Sequence, residues 1–185
     1  MNIDSKTGLL MPVRYIPSAH CDDRPVNLSI DMIVIHNISL PPGVFGTGRI
    51  EQFFTGQLDS SAHPYFATIT QLTVSAHLLI DRCGVVTQFV PFSQRAWHAG
   101  QSSFQGRERC NDFSIGIELE GTDDLAYEKI QYERLVNIIE LLMISYPSIT
   151  RERIVGHSDI APGRKTDPGP FFDWSYLERI QRKQA

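Results

Sequence analysis

The chain has 185 residues and a mass of 20.9 kDa, with 42% hydrophobic, 10% aromatic and 21% charged residues, which predicts one globular domain over residues 1–185. Its formal charge is −4 and its densest basic stretch is Arg107-Glu108-Arg109, which argues against non-specific nucleic-acid binding. Its longest aliphatic runs, Met32–Ile35 and Leu141–Ile144, are four residues long, whereas a membrane span needs ~20.

The start, Met1-Asn2-Ile3-Asp4-Ser5-Lys6, lacks the basic, apolar and small-residue sections of a signal peptide. The three cysteines, Cys21, Cys83 and Cys110, form no CxxC pair. Together these predict a reducing, cytoplasmic setting with free thiols.

Residues 30–36 are apolar except for Asp31 and end at His36, which predicts a buried central strand. Residues 49–55 predict a short helix with Ile50, Phe53 and Phe54 on one side. Residues 76–90 predict a hairpin turning around Asp81–Gly84. Over 114–120, Ile115, Ile117 and Leu119 face one way and Gly116 and Glu118 the other. A long helix is expected over 128–145, because Leu135, Ile138, Ile139 and Leu142 recur at helical spacing and Tyr146-Pro147 stops it. Arg153–Val155 reads as a short strand leading to His157, then a loop over 158–172, then a helix over 174–182 capped by Asp173. This order implies an α/β (α+β) fold with one mixed sheet flanked by helices.

Six histidines carry most of the chemical interest. His36 and His157 each end a short apolar strand, where an imidazole is held by the sheet yet opens onto loops. Taken singly, each is better read as a hydrogen-bonded structural histidine. Asp167 lies in a loop stiffened by Pro162, Pro168 and Pro170, either capping a turn or completing a two-histidine, one-carboxylate site. Glu118 is either a solvent-face residue, the reading favoured by alternation alone, or a general base in a cleft. Lys165 is either a solvated loop lysine or a charge aimed at an oxyanion. Trp97, beside Ala99-Gly100, serves core packing and ligand stacking equally well. His77 and His98 read as hydrogen-bonded structural residues, and His20 and His63 as surface residues.

Five segments then assemble into one pattern: Val34-Ile35-His36-Asn37; Val74-Ser75-Ala76-His77; Arg95-Ala96-Trp97-His98-Ala99-Gly100; Gln105–Asp123; and Gly156–Pro170. In this order they resemble the zinc N-acetylmuramoyl-L-alanine amidases. Within that family they look like the cytoplasmic branch acting on 1,6-anhydro-muropeptides. The resemblance runs from about Val13 to Trp174. It implies a fold shared with peptidoglycan recognition proteins and one Zn2+ per chain held by His36, His157 and Asp167. It further implies Glu118 and Lys165 as catalytic residues, and Asn37, Trp97 and Arg109 as substrate-binding residues. The implied partner is an anhydromuropeptide, with no nucleic acid or membrane, and the chain is expected to be a monomer. The implied role is peptidoglycan recycling, and through it restraint of β-lactamase induction. Thr73 stands where the resemblance leads one to expect an arginine that grips the stem peptide. The rival readings are a metal-free peptidoglycan-binding module and an amidase acting on intact cell wall.

Overall fold

The structure, a computed structural model, describes residues 1–178. In chain order the strands are β1 (Asn2–Asp4), β2 (Leu9–Met11), β3 (Arg14–Tyr15), β4 (Cys21–Asp23) and β5 (Met32–Ile38). Helices α1 (Arg49–Phe54) and α2 (Pro64–Ile69) follow, then β6 (Leu78–Ile80), β7 (Val86–Gln88), β8 (Gln94–Ala96), β9 (Ser103–Phe104), β10 (Arg107–Glu108) and β11 (Ser114–Glu120). The chain continues through α3 (Lys129–Ser145), β12 (Ile154–Gly156), α4 (His157–Ile160) and α5 (Ser175–Glu178).

A six-stranded mixed sheet runs in the order β12-β5-β11-β6-β7-β3. The four strands from β12 to β6 are parallel, while β6 and β7 form the expected antiparallel hairpin. In its turn, Asp81 Oδ1 accepts the backbone N–H groups of Cys83 and Val85 at 2.9 and 2.8 Å. The helix expected over 128–145 is α3. Glu128 and Gln131 close a capping box at its start, and it ends at Tyr146. Its Leu135, Ile138, Ile139 and Leu142 pack on Ile33, Ile35, Ile115, Ile117 and Leu119, so this is the closed face of the sheet. Ile50, Phe53 and Phe54 of α1 are buried as expected, in a second cluster with Phe66 and Ile69 of α2.

Several boundaries depart from the sequence reading. The central strand covers 32–38 rather than 30–36, because pairing with β11 extends through Asn37 and Ile38. The loop expected over 158–172 opens with the single turn α4, where Asp159 Oδ2 accepts the Gly156 N–H at 2.7 Å. Of the helix expected over 174–182, Ser175–Glu178 is seen, and 179–182 lies outside the described residues. No helix among the described residues is long and apolar enough to cross a membrane.

Candidate metal centre and catalytic cleft

The open face of the sheet carries the chemistry. His36 on β5 and Glu118 on β11 are register partners, as are Val34 and Gly116. Register partners on parallel strands project to the same face. On the other side of β5, Gly156 of β12 pairs with Ile35, which places His157 beside His36. Here the structure departs from the alternation-based preference for a solvent face at Glu118. All seven residues of β11 are buried, because loops cover this face as α3 covers the other.

Three side chains converge above the strand ends. His36 Nδ1 lies 3.0 Å from both His157 Nδ1 and Asp167 Oδ2, and His157 Nδ1 lies 3.1 Å from Asp167 Oδ2. His157 Nε2 faces the Ala99 carbonyl oxygen at 3.1 Å. A carbonyl only accepts, so Nε2 carries the proton and Nδ1 presents a bare lone pair. That lone pair and a carboxylate oxygen therefore face each other with no proton of their own to share, an arrangement suited to a cation. Tetrahedral zinc with bonds of ~2.0–2.1 Å sets its ligand atoms ~3.3–3.4 Å apart, close to the spacing seen here. Two imidazoles and one carboxylate, with a cavity on the remaining side, match the three-ligand arrangement of catalytic rather than structural zinc. The donor set and its spacing fit that metal.

The electrostatics differ from residue to residue. Burial pulls the His36 imidazole down to about 4, against the opposing pull of Asp167. Burial alone would raise Asp167, yet the His157 and His36 imidazoles set against it bring it well below the usual carboxylate range. Burial, helped by the nearby Asp167 charge, pushes Glu118 well above its ordinary value, and Lys165 only partly offsets this. Glu118 Oε2 is buried with no hydrogen-bond partner among the described residues. A carboxyl in that condition is a natural acceptor for a proton arriving with a ligand.

A cavity of about 650 Å³ joins this polar end to an apolar wall of Leu40, Phe53, Phe54, Tyr65 and Ile69. Of the residues expected at the site, His36, Asn37, Trp97, Glu118, Lys165 and Asp167 all border it, as does His157. Lys165 is exposed and its charge reaches both His36 and Glu118. Trp97 donates its indole N–H to Asp22 Oδ1 at 3.0 Å and stacks on His20, which leaves its ring fixed at the cavity rim. Asn37 donates from Nδ2 to Asp123 Oδ1 at 2.7 Å and to the Pro168 carbonyl at 3.1 Å.

Arg109 is placed elsewhere. It borders an adjoining cleft of about 370 Å³, and Arg164 lines both spaces. The Arg109 side chain is 72% exposed and lies 3.5 Å from Asp112. Thr73 is exposed between Leu72 and Val74, and those two neighbours, not Thr73, border the main cavity.

The sequence reading missed the residues that hold the centre in place. Tyr127 donates its hydroxyl to the Pro168 carbonyl at 2.7 Å, the same oxygen that Asn37 reaches. Arg164 donates to the Ala99 and Gln101 carbonyls at 2.7 and 2.6 Å, tying the Asp167 loop to the segment beneath His157. One signal was available: Gly116, between Ile115 and Ile117 in a fully buried strand, marks a place where something packs close. That something is His98, whose Cγ would lie 2.4 Å from a Cβ at position 116.

Comparison with known proteins agrees with this geometry. A sequence pattern describing N-acetylmuramoyl-L-alanine amidases matches residues 26–170. The chain is 55% identical over 178 residues to the 1,6-anhydro-N-acetylmuramyl-L-alanine amidase AmpD of Escherichia coli (strain K12), covering 96% of this chain and 97% of that protein. It is 54% identical over 179 residues to the AmpD of Haemophilus influenzae, with 96% and 97% covered. A crystal structure of a selenomethionine AmpD derivative superposes with a TM-score of 0.93 at 55% identity, covering 97% of this chain and 99% of that one. The E. coli amidase AmiD, in complex with anhydro-N-acetylmuramic acid-L-Ala-D-γ-Glu-L-Lys, superposes with a TM-score of 0.61 at 31% identity over 85% of this chain and 60% of that one.

Proposed function

The chain belongs to the N-acetylmuramoyl-L-alanine amidase family, and from that membership we propose that it is a zinc amidase. Its proposed substrate is the lactyl amide between 1,6-anhydro-N-acetylmuramic acid and L-alanine in muropeptides. The observation that carries this reading is the unpartnered Glu118 carboxyl standing next to His36 on the face where His157 and Asp167 converge.

His36 Nδ1, His157 Nδ1 and Asp167 Oδ2 are the atoms that would hold one zinc ion. When bound, zinc supplies Lewis-acid polarisation of a carbonyl and brings the pKa of water to about 7. Glu118 accepts the proton of the attacking water at its free carboxyl oxygen, and its raised pKa suits it to hold that proton. The same carboxyl then returns the proton to the departing nitrogen of L-alanine. Lys165 offers its positive charge to the lactyl carbonyl oxygen as negative charge develops there. Products are the anhydro-muramyl sugar and the free stem peptide.

The cavity suits a ligand that is part sugar and part peptide. The fixed Trp97 ring provides a face for the sugar. The Asn37 side-chain oxygen is left free to accept from an amide, since its nitrogen is already committed. Arg109, exposed in the adjoining cleft, meets a stem-peptide carboxylate. Thr73, which borders neither space, adds no second cation, so grip on the peptide rests more heavily on Arg109.

A metal-free binding module would have no use for a complete ligand set beside a buried, unpartnered carboxyl. The proposal extends to a monomeric enzyme of cytoplasmic peptidoglycan recycling, which removes anhydromuropeptides and so restrains β-lactamase induction. Mass spectrometry of products from anhydro-muramyl-tripeptide and from intact sacculi tests it. Release of tripeptide from the small substrate and little from sacculi is expected. Efficient release from sacculi with none from the small substrate would assign the enzyme to intact cell wall instead.

A further inference from the structure

We infer that His98, backed by Ser114, is a positioning residue that dictates which nitrogen of His36 is free to bind the metal. The inference rests on the metal-centre reading above and assigns a role to two residues outside the ligand set.

The hydrogen-bond directions can be read from one end. Ser114 Oγ lies 2.6 Å from the Cys110 carbonyl oxygen, which can only accept. The hydroxyl proton therefore points at Cys110, and the lone pairs on Oγ are left to receive a donor. The group facing them is His98 Nε2 at 3.1 Å, so that nitrogen carries the ring proton. A neutral imidazole with its proton on Nε2 accepts at Nδ1. His98 Nδ1 lies 2.9 Å from His36 Nε2, so His36 donates from Nε2. His36 Nδ1 is then a bare lone pair, and it is this atom that faces His157 Nδ1 and Asp167 Oδ2. The order of protons is set at a main-chain carbonyl and passed through two side chains to the ligand.

The position of His98 is itself enforced. Gly116 provides the space for its ring, since a Cβ there would meet Cγ, Nδ1 and Cδ2 at 2.4–2.7 Å. The backbone N–H groups of His98 and Ala99 both donate to Asn111 Oδ1, at 3.1 and 2.8 Å. The next carbonyl along, that of Ala99, fixes the proton of His157 on Nε2. One dipeptide, 98–99, thus orients both histidine ligands, one by a side chain and one by main chain. Partners of this kind are worth ~10–100-fold in metal affinity.

The test compares wild type with His98→Phe, which keeps a ring but removes the acceptor, and with His98→Asn, whose side-chain oxygen stands near the place of Nδ1. Zinc affinity is measured by competition with a chromophoric chelator. Long-range 1H–15N spectra of histidine-labelled, metal-free wild type report the ring protons directly. The expected results are His36 protonated at Nε2 in the metal-free protein, zinc binding ~10–100-fold weaker in His98→Phe, and recovery of most of it in His98→Asn. A His36 proton on Nδ1, wild-type affinity in His98→Phe, or an Asn variant no better than Phe would overturn the inference. The wild-type spectrum needs no variant to fold. It also separates the two readings, since wild type without zinc affinity but with Nε2-protonated His36 would remove the metal centre and leave the proton order intact.

Discussion

Glu118 and Asp167 share one cavity, yet their surroundings drive them in opposite directions. Asp167 lies against two imidazoles and is held ionised, whereas Glu118 is buried with a free oxygen and is pushed toward its neutral form. Two carboxyls separated in this way suit the two separate tasks proposed for them, one holding a cation and the other trading a proton.

Replacing Glu118 with Gln should lower kcat by ~10²–10⁴ while leaving zinc content unchanged. The same change should stabilise the metal-free protein at pH 8. Because the folded-state value of Glu118 is raised, its favourable contribution is present below its ordinary 4.5 and is lost as pH rises through the folded value. At pH 8, well above that ordinary value, keeping Glu118 in its buried site therefore costs the wild type stability that Gln does not lose. Thermal unfolding checks this, with each kcal/mol gained raising Tm by ~2–4 °C in a chain of this size. An unchanged or lower Tm would contradict the account of Glu118 burial.

Chelation should destabilise the loaded protein by mass action. With free zinc at 100 times its Kd, binding contributes ~2.7 kcal/mol, so Tm should fall by about 5–10 °C when metal is removed. Asp167→Ala, which removes one of the three converging ligands, should show little or no such fall. Differential scanning calorimetry with and without chelator distinguishes the two.

Asn37 reads from the sequence as a substrate contact, but its amide nitrogen is spent on Asp123 and on Pro168, the residue after Asp167. Asn37→Ala should therefore weaken zinc binding as well as raise KM. Tyr127→Phe removes the second bond to the Pro168 carbonyl and should cost ~0.5–1.5 kcal/mol of stability. A KM effect at Asn37 with unchanged zinc affinity would confine that residue to the substrate.

Acid should loosen the sheet beneath the site through His77. This ring accepts the Gly116 N–H at Nδ1 and faces the Gln94 carbonyl with Nε2, so a second proton has no acceptor. Burial, and then the Arg24 charge, hold its pKa well below 6.5. For a base lowered in this way, stability is complete above the ordinary 6.5 and falls as pH drops below it. Urea unfolding of metal-free protein between pH 8 and 5 should show that fall, and His77→Gln should reduce its slope.

The fold was legible where periodicity was strong. The apolar run before His36, the alternation over 114–120 and the spacing of Leu135, Ile138, Ile139 and Leu142 each became the expected element. Strands of two or three residues, such as β3, β9 and β10, have no period to detect. Helix α2 had a readable start, with His63 capping through Nδ1 and Pro64 at its first turn, but it is only six residues long. Alternation placed Glu118 opposite the core correctly, yet could not say whether that opposite face met water or loops. The proposed metal ligands were visible as a family resemblance. Their supports were not, because Tyr127, Arg164 and His98 act across 41, 65 and 62 residues of sequence separation.

The most direct test of the account joins metal content to turnover. Purified protein is analysed for metal, then given anhydro-muramyl-tripeptide before chelation, after chelation, and after zinc is restored. The account predicts about one zinc per chain, free tripeptide released, loss of release on chelation and its return with zinc. Full peptide release by metal-free protein, or no zinc and no release even after zinc is supplied, would contradict it.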